Sequence, residues 1–298
     1  MLLTDAVSEY LGECRAKNLS DQTLRWYDQK LGVWLAQCPA DAEAEDVTPS
    51  QVRKFVAGLT GISAHTRKGY TQCVKGFLVW CEEEGLLAHG TGKRVKLPKV
   101  EQVVIKTLSP AHLRLLHAAA DGQHYKGLVG RDHAILAVLL GTGLRAAELC
   151  SLTVGRTFVK GEDCYLLLKG KGRKEREVGV PPQAAARLRR YLYRYRPQSR
   201  AEEVFLSRDG KPLTPRGLDQ ILYRLEDRAG EERFVGIRVS AHTFRHTFAV
   251  TYLSEGGDIY KLSKLMGHTT VSTTERYLRD YMQRNARAGG PDVLRTFS

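Results

Sequence analysis

Helical periodicity dominates the first ninety residues of this chain and then lapses between Ala88 and Thr107, a break that constrains the fold more than any other feature. From Asp21 to Cys38 the apolar residues Leu24, Tyr27, Leu31, Trp34, Leu35 and Cys38 recur at spacings of three and four, with Ser20 standing where an N-cap belongs. A helix with one buried stripe is the expected result. Pro49 opens a second candidate (PSQVRKFVAGL), and Tyr70, Val74, Phe77, Leu78 and Cys81 form a third stripe ending near Gly85. The text of the lapse, HGTGKRVKLPKVEQVVIKT, has the glycine, proline and lysine content of a connection, so the chain should divide here. At 298 residues it is long enough for two separate cores.

Past the break, Ser109 and Pro110 read as the N-cap and first helical residue of a second domain. Arg131 to Leu149 is a helical stretch interrupted by Gly141 and Gly143. Between Phe158 and Val180 the runs CYLLL and EREVGV flank KGKGRK, which suggests a small hairpin, and helices are expected to resume from Gln183 to the end. The fold class that follows is mainly α (α+β): an N-terminal helical domain, then a mostly helical domain with a small antiparallel sheet.

Lysine and arginine number 46 against 33 acidic residues, a net charge of +13 that suggests a polyanionic partner. The excess is uneven: 13 basic and 12 acidic residues up to Val100, against 33 and 21 beyond, or +1 against +12. The six cysteines show no C-x-x-C pair and no histidine at zinc-finger spacing, so they read as reduced thiols, with no metal site expected. The N-terminus lacks a signal-peptide pattern, and the longest apolar run, Ala134 to Leu144, is too short to span a bilayer. A soluble cytoplasmic protein with no membrane partner is expected.

The chemistry concentrates late in the chain. His242 and Arg245 are three apart in AHTFRHTF, His268 follows Arg245 by 23 residues, and Tyr277 lies 9 further on. A guanidinium offers a planar fork to phosphate oxygens and a phenolate can be a covalent nucleophile, so these are parts for holding a phosphodiester and attacking it. They point to DNA strand transfer through a phosphotyrosine. Helix geometry alone does not choose between His242 and His246, and Arg145 alone would read as a surface arginine paired with Glu148 at i+3. There is no acidic cluster of the kind that holds catalytic magnesium and no Walker-type loop, so no cofactor is expected. A phosphotyrosine would conserve the energy of the broken phosphodiester, which makes ATP unnecessary.

The segments GTGLRAAEL (Gly141 to Leu149), GKGRKEREVGVP (Gly170 to Pro181), HTFRHTF (His242 to Phe248) and LMGHTTVSTTERY (Leu265 to Tyr277), in this order, resemble the tyrosine recombinase or phage-integrase family, especially its Xer-like members. The resemblance runs from about Leu3 to Leu278 and is strongest after Leu140. It implies a core-binding, SAM-like DNA-binding domain over 1–90, a basic linker over 91–107, a catalytic domain over 108–288, and a tail over 289–298 that docks on a neighbouring protomer. It assigns Arg145, His242, Arg245 and His268 to the scissile phosphate, Lys171 to protonation of the leaving 5′ oxygen, and Tyr277 to nucleophilic attack; Glu148, three residues after Arg145, is the candidate to orient it. Candidates for contacting the duplex are His65, Lys68, Gln72 and Lys75 on the polar face of the third helix, which equally reads as a solvated face. Lys93, Arg94 and Lys96 in the linker, and Lys169, Arg173 and Lys174 around the hairpin, complete that set.

The expected function is site-specific recombination, cutting and rejoining double-stranded DNA through a 3′-phosphotyrosine and a Holliday junction. The expected assembly is a homo- or hetero-tetramer on paired sites, with a monomer as the alternative off DNA, encoded by a bacterium, an archaeon or a phage. Two rivals are a type IB topoisomerase-like relaxing enzyme and a catalytically silent architectural DNA-binding protein.

Overall fold

In the computed structural model, which describes residues 1–100, 106–169, 175–267, 274, 275 and 277, the N-terminal helices are Leu3–Ala16 (α1), Asp21–Leu35 (α2), Pro49–Gly58 (α3) and Ala64–Glu83 (α4). Three of them start at a hydroxyl that accepts a backbone N–H: Ser20 from Thr23, Thr48 from Gln51, and Ser63 from Thr66. Each such cap contributes about 1 kcal/mol. Val74, Phe77, Leu78 and Cys81 of the third predicted stripe are fully buried, against Leu31 and Trp34 of α2 and against α1. Helix α2 stops at Leu35, short of the predicted Cys38, because Cys38 precedes Pro39 and the residue before a proline is driven out of the helical region.

The linker expected over 91–107 is in part built into this packing. A short helix, Thr91–Arg94 (α5), is held by Glu82, whose carboxylate accepts the N–H of Gly90 at 2.9 Å and of Gly92 at 2.5 Å. Val95 is buried in the same core, and Lys75 donates to its carbonyl at 3.0 Å. The chain divides into two compact units, Met1–Val103 and Val104–Ser298.

The second unit opens at Ser109, which forms a reciprocal capping box with His112 at the head of Pro110–Asp121 (α6). There follow Lys126–Thr142 (α7), Ala146–Cys150 (α8), the strands Thr157–Phe158 (β1), Tyr165–Lys169 (β2) and Glu175–Gly179 (β3), and Pro182–Arg190 (α9). Pro215–Ala229 (α10), Ala241–Ser254 (α11) and Ile259–Leu265 (α12) complete the named elements. The hairpin is real and gains a third strand: the sheet is antiparallel in the order β1-β2-β3, with Leu166 opposite Val178 and Leu168 opposite Arg176.

Residues 196–214 depart from the helices expected after Gln183. They run as an irregular segment whose Val204 N–H bonds the Leu152 carbonyl and whose Val204, Phe205 and Leu206 are buried. Pro197 and Pro212 disfavour a helix here, and the backbone finds its partners in the chain after α8 instead.

The main core of this unit gathers Leu116, Ile135, Leu139, Leu149, Leu166, Leu188, Phe205, Leu222 and Phe244 around α7. A smaller cluster of Ala249, Leu253, Leu262, Met266 and Tyr277 joins α11 to α12. Among the described residues no helix is long and apolar enough to cross a membrane.

Candidate active site

Helix α7 ends on Gly143, whose φ of +62° is the left-handed conformation that only glycine adopts without cost. A Cβ there would also lie 2.4 Å from the Phe248 ring. The turn delivers Arg145 to the head of α8, where its N–H donates to Glu148 Oε2 at 2.9 Å and its Nη1 pairs with Glu148 Oε1 at 2.8 Å.

From α11, Arg245 reaches the same place with only 4% of its surface exposed. Its Nη1 donates to the Gly143 carbonyl at 2.7 Å and its Nη2 to the Met266 carbonyl at 2.5 Å. Arg145 Nη2 donates to the next carbonyl, that of Gly267, at 3.1 Å, and Arg176 Nε from β3 donates to the preceding one, Leu265, at 3.3 Å. Carbonyls at a helix C-terminus lack intrahelical donors. Here, where α12 ends, three consecutive carbonyls each receive a guanidinium from a different element.

Tyr277 completes the group. It is 5% exposed in the small core of α11 and α12, its phenol is hydrogen-bonded to Arg245, and its ring centre lies 5.0 Å from that of the fully buried His246. Burial pushes the Arg245 pKa down, the nearby Arg145 pushes it further, and Tyr277 and Glu148 pull it back, leaving it at about 10. Arg245 is therefore still a cation at neutral pH. Burial alone would raise the Glu148 carboxyl, but the Arg145 N–H and the Arg176 and Arg145 guanidiniums outweigh it and hold the group below its usual range. Among the described residues three guanidiniums thus face one carboxylate beside a phenol, an excess of positive charge suited to a phosphodiester.

A model of the phage integrase family matches residues 107–284. This chain belongs to the phage integrase family, the tyrosine recombinases. It is 30% identical over 276 residues to the tyrosine recombinase XerC of Anoxybacillus flavithermus, covering 88% of each chain. It is 28% identical over 277 residues to XerD of Listeria monocytogenes, covering 88% of this chain and 89% of that one. Among solved structures it is similar to the Tn1549 transposon integrase in complex with transposon right-end DNA, with a TM-score of 0.76 at 18% identity over 96% of this chain and 100% of that chain. It also resembles a lambda integrase dimer bound to a core site, with a TM-score of 0.71 at 17% identity over 92% and 97% of the two chains.

The enzyme is a site-specific recombinase that cuts and rejoins DNA, and these relatives do not favour the relaxing-enzyme or silent-architectural rivals. In this recombinase the fold brings Arg145, Glu148, Arg245 and Tyr277 together. His242 is exposed on the first turn of α11, one turn before Arg245 and on its face, whereas His246 packs against Tyr277. Lys171, Arg173, Lys174 and His268 lie outside the described residues, as does the side chain of Lys169.

In the N-terminal unit His65 and Gln72 are exposed, Lys68 is partly so, and Lys93, Arg94 and Lys96 are all exposed. Lys75 differs from its neighbours on that face, since its ammonium is committed to the Val95 carbonyl. The residue that motif reading passed over is Arg176, obscured by the basic residues around it. The signal was present in the strand alternation: Arg176 shares a face with the buried Val178, while Glu175 and Glu177 point outward.

Proposed function

We propose that Tyr277 is the nucleophile of this recombinase and that Arg145 and Arg245 hold the scissile phosphate. The single observation that carries the reading is the hydrogen bond between the Tyr277 phenol and Arg245, whose second guanidinium nitrogen and that of Arg145 are anchored on adjacent carbonyls. A phosphate entering beside Tyr277 would meet both guanidiniums while the attacking oxygen is already held within reach of them. The phenol gives up its proton to water as its oxygen bonds to phosphorus, the bond to the 5′ oxygen breaks, and that oxygen takes up a proton, a role that falls to Lys171. The product is a 3′-phosphotyrosine with a free 5′ hydroxyl. The two guanidiniums favour the added negative charge of the pentacovalent transition state, and His242 and His268 supply further donors to the phosphate.

Attack by the 5′ hydroxyl of a partner strand reverses the step, releases Tyr277 and exchanges the strands. On this reading the recombinase acts as a tetramer on paired double-stranded sites and passes through a Holliday junction. The N-terminal unit, with His65, Gln72, Lys93, Arg94 and Lys96 exposed, closes on the duplex as the core-binding domain.

Replacing Tyr277 by phenylalanine keeps the ring and removes only the attacking oxygen. On a nicked suicide substrate the wild type should yield a protein–DNA adduct that survives a denaturing gel, and Tyr277→Phe should yield none while still shifting the same DNA in a native gel. An adduct from the variant would move the role to another residue.

A further inference from the structure

The basic hairpin motif GKGRKER ends on a residue turned into the protein. Arg176 has a side chain 17% exposed, against 43% for Arg145. Its Nη2 lies 2.9 Å from Glu148 Oε1, the oxygen that Arg145 Nη1 engages at 2.8 Å, so one carboxylate oxygen fixes two guanidiniums relative to each other. Its Nε donates to the Leu265 carbonyl, two residues before the carbonyl that Arg145 uses. The turn closes over it: Gly267 has a φ of +60°, and a Cβ there would lie 2.8 Å from the guanidinium carbon of Arg176. Strand β3, the head of α8 and the end of α12 therefore meet on one side chain.

We infer that Arg176 is a positioning residue for strand cleavage, setting Arg145 against the Leu265–Gly267 turn through its shared hold on Glu148. Its Nε donates to a carbonyl and its Nη2, which makes no hydrogen bond of its own, ion-pairs with a carboxylate inside the protein, which separates its role from that of Arg145. Without it Glu148 Oε1 keeps only Arg145, the pair loses its tie to the Leu265 carbonyl, and Arg145 is free to swing with Glu148 away from the Gly267 carbonyl. A lysine cannot substitute, because one ammonium on a flexible stem does not span both acceptors as a planar fork does. The inference rests on the reading of Tyr277 and Arg145 above.

The test measures the rate of adduct formation on nicked substrates with oxygen or sulfur at the bridging 5′ position, together with half-site binding and melting temperature. Arg176→Ala is expected to bind the half-site as the wild type does and to cleave about 10²-fold more slowly, the scale of loss from a small misplacement of a reacting group. Arg176→Lys should also be slow. Sulfur, which leaves without protonation, should not restore the rate, and E148A combined with R176A should be no slower than the slower single variant. If Arg176→Ala melts far below the wild type, Arg176→Lys, which keeps charge and stem, carries the comparison.

Unimpaired cleavage by the variants overturns the inference. Recovery on the sulfur substrate does so too, since Arg176 would then serve the proton donor, and fully additive losses in the double variant would show that Arg176 and Glu148 act independently. A wild type that forms no adduct removes the reading of Tyr277 and this inference with it, whereas a wild-type adduct beside an unimpaired variant removes this inference alone.

Discussion

Gly143 does more for this site than its lack of a side chain suggests. Its positive φ turns the chain out of α7 so that Arg145 heads α8, its Cα leaves space for the Phe248 ring, and its carbonyl accepts from Arg245. An alanine would meet the left-handed penalty of about 1–2 kcal/mol together with about 1–3 kcal/mol for displacing a packed ring. Gly143→Ala should therefore melt several degrees lower and cleave more slowly even where it remains folded; an unchanged melting curve would contradict the strained turn. Glu148 leads to a pH dependence with a definite sign. Its folded-state pKa lies below the ordinary carboxylate value, so the native state holds the proton less tightly than the unfolded chain does. The stability it contributes is present above that ordinary value, near 4.3, and is lost as pH falls through the depressed one. Melting temperature followed from pH 6 downward should fall more steeply for the wild type than for Glu148→Gln. Parallel curves would mean that its ion pairs contribute nothing to the folded state.

At the scale of elements, three helices meet in a histidine pair that none of the motifs contains. His117 of α6 stacks on His133 of α7 with ring centres 5.2 Å apart, Arg187 of α9 sits 3.0 Å from His117, and Asp121 takes His133 Nε2 at 2.7 Å. Burial first, then the charges of Arg187 and His133, push the His117 pKa down to about 4, with Asp121 opposing. His117 is therefore neutral in the fold at pH values where the unfolded chain protonates it. The stability linked to it is complete above the ordinary histidine value near 6.5 and is lost as pH falls toward 4. His117→Phe, which keeps a ring in the stack, should flatten the decline in melting temperature across that window; an identical decline would show that His117 does not titrate with unfolding. Nothing in the sequence announced this junction, because its members are ordinary helix residues brought together only by packing. The same limit explains Arg176, which strand alternation pointed inward while the basic residues around it masked the signal. The helical stripes of Leu31 and Trp34, and of Val74 through Cys81, were legible because burial on one face imposes a period on the spacing of apolar residues. The segment 196–214 was legible only as a break, through Pro197 and Pro212; its partners are backbone groups of the chain after α8, which carry no side-chain signature.

At the scale of the whole molecule the charge is divided: Met1 to Val100 carries +1 and the remainder +12. Each phosphate neutralised by a lysine or arginine releases condensed counterions, so log affinity falls with log salt by about 0.9 per contact. The second unit should therefore supply most of the salt dependence. The first unit contributes a compact exception, because α5 and the turn after it present Lys93, Arg94 and Lys96 to solvent while Glu82 and Lys75 hold their backbone in place. Cations held on a fixed backbone are better phosphate contacts than cations on a loose connection, since less chain entropy is lost when they bind. The full chain carrying Lys93→Gln, Arg94→Gln and Lys96→Gln should bind a half-site more weakly at low salt, with a slope flatter by about 0.9 for each contact removed. Its preference among sites should persist, because phosphate contacts position the protein without reading bases. The measurement is half-site affinity across a series of salt concentrations for both proteins. A slope identical to the wild type would take this segment off the phosphates, and a changed site preference with an unchanged slope would mean that it reads the groove.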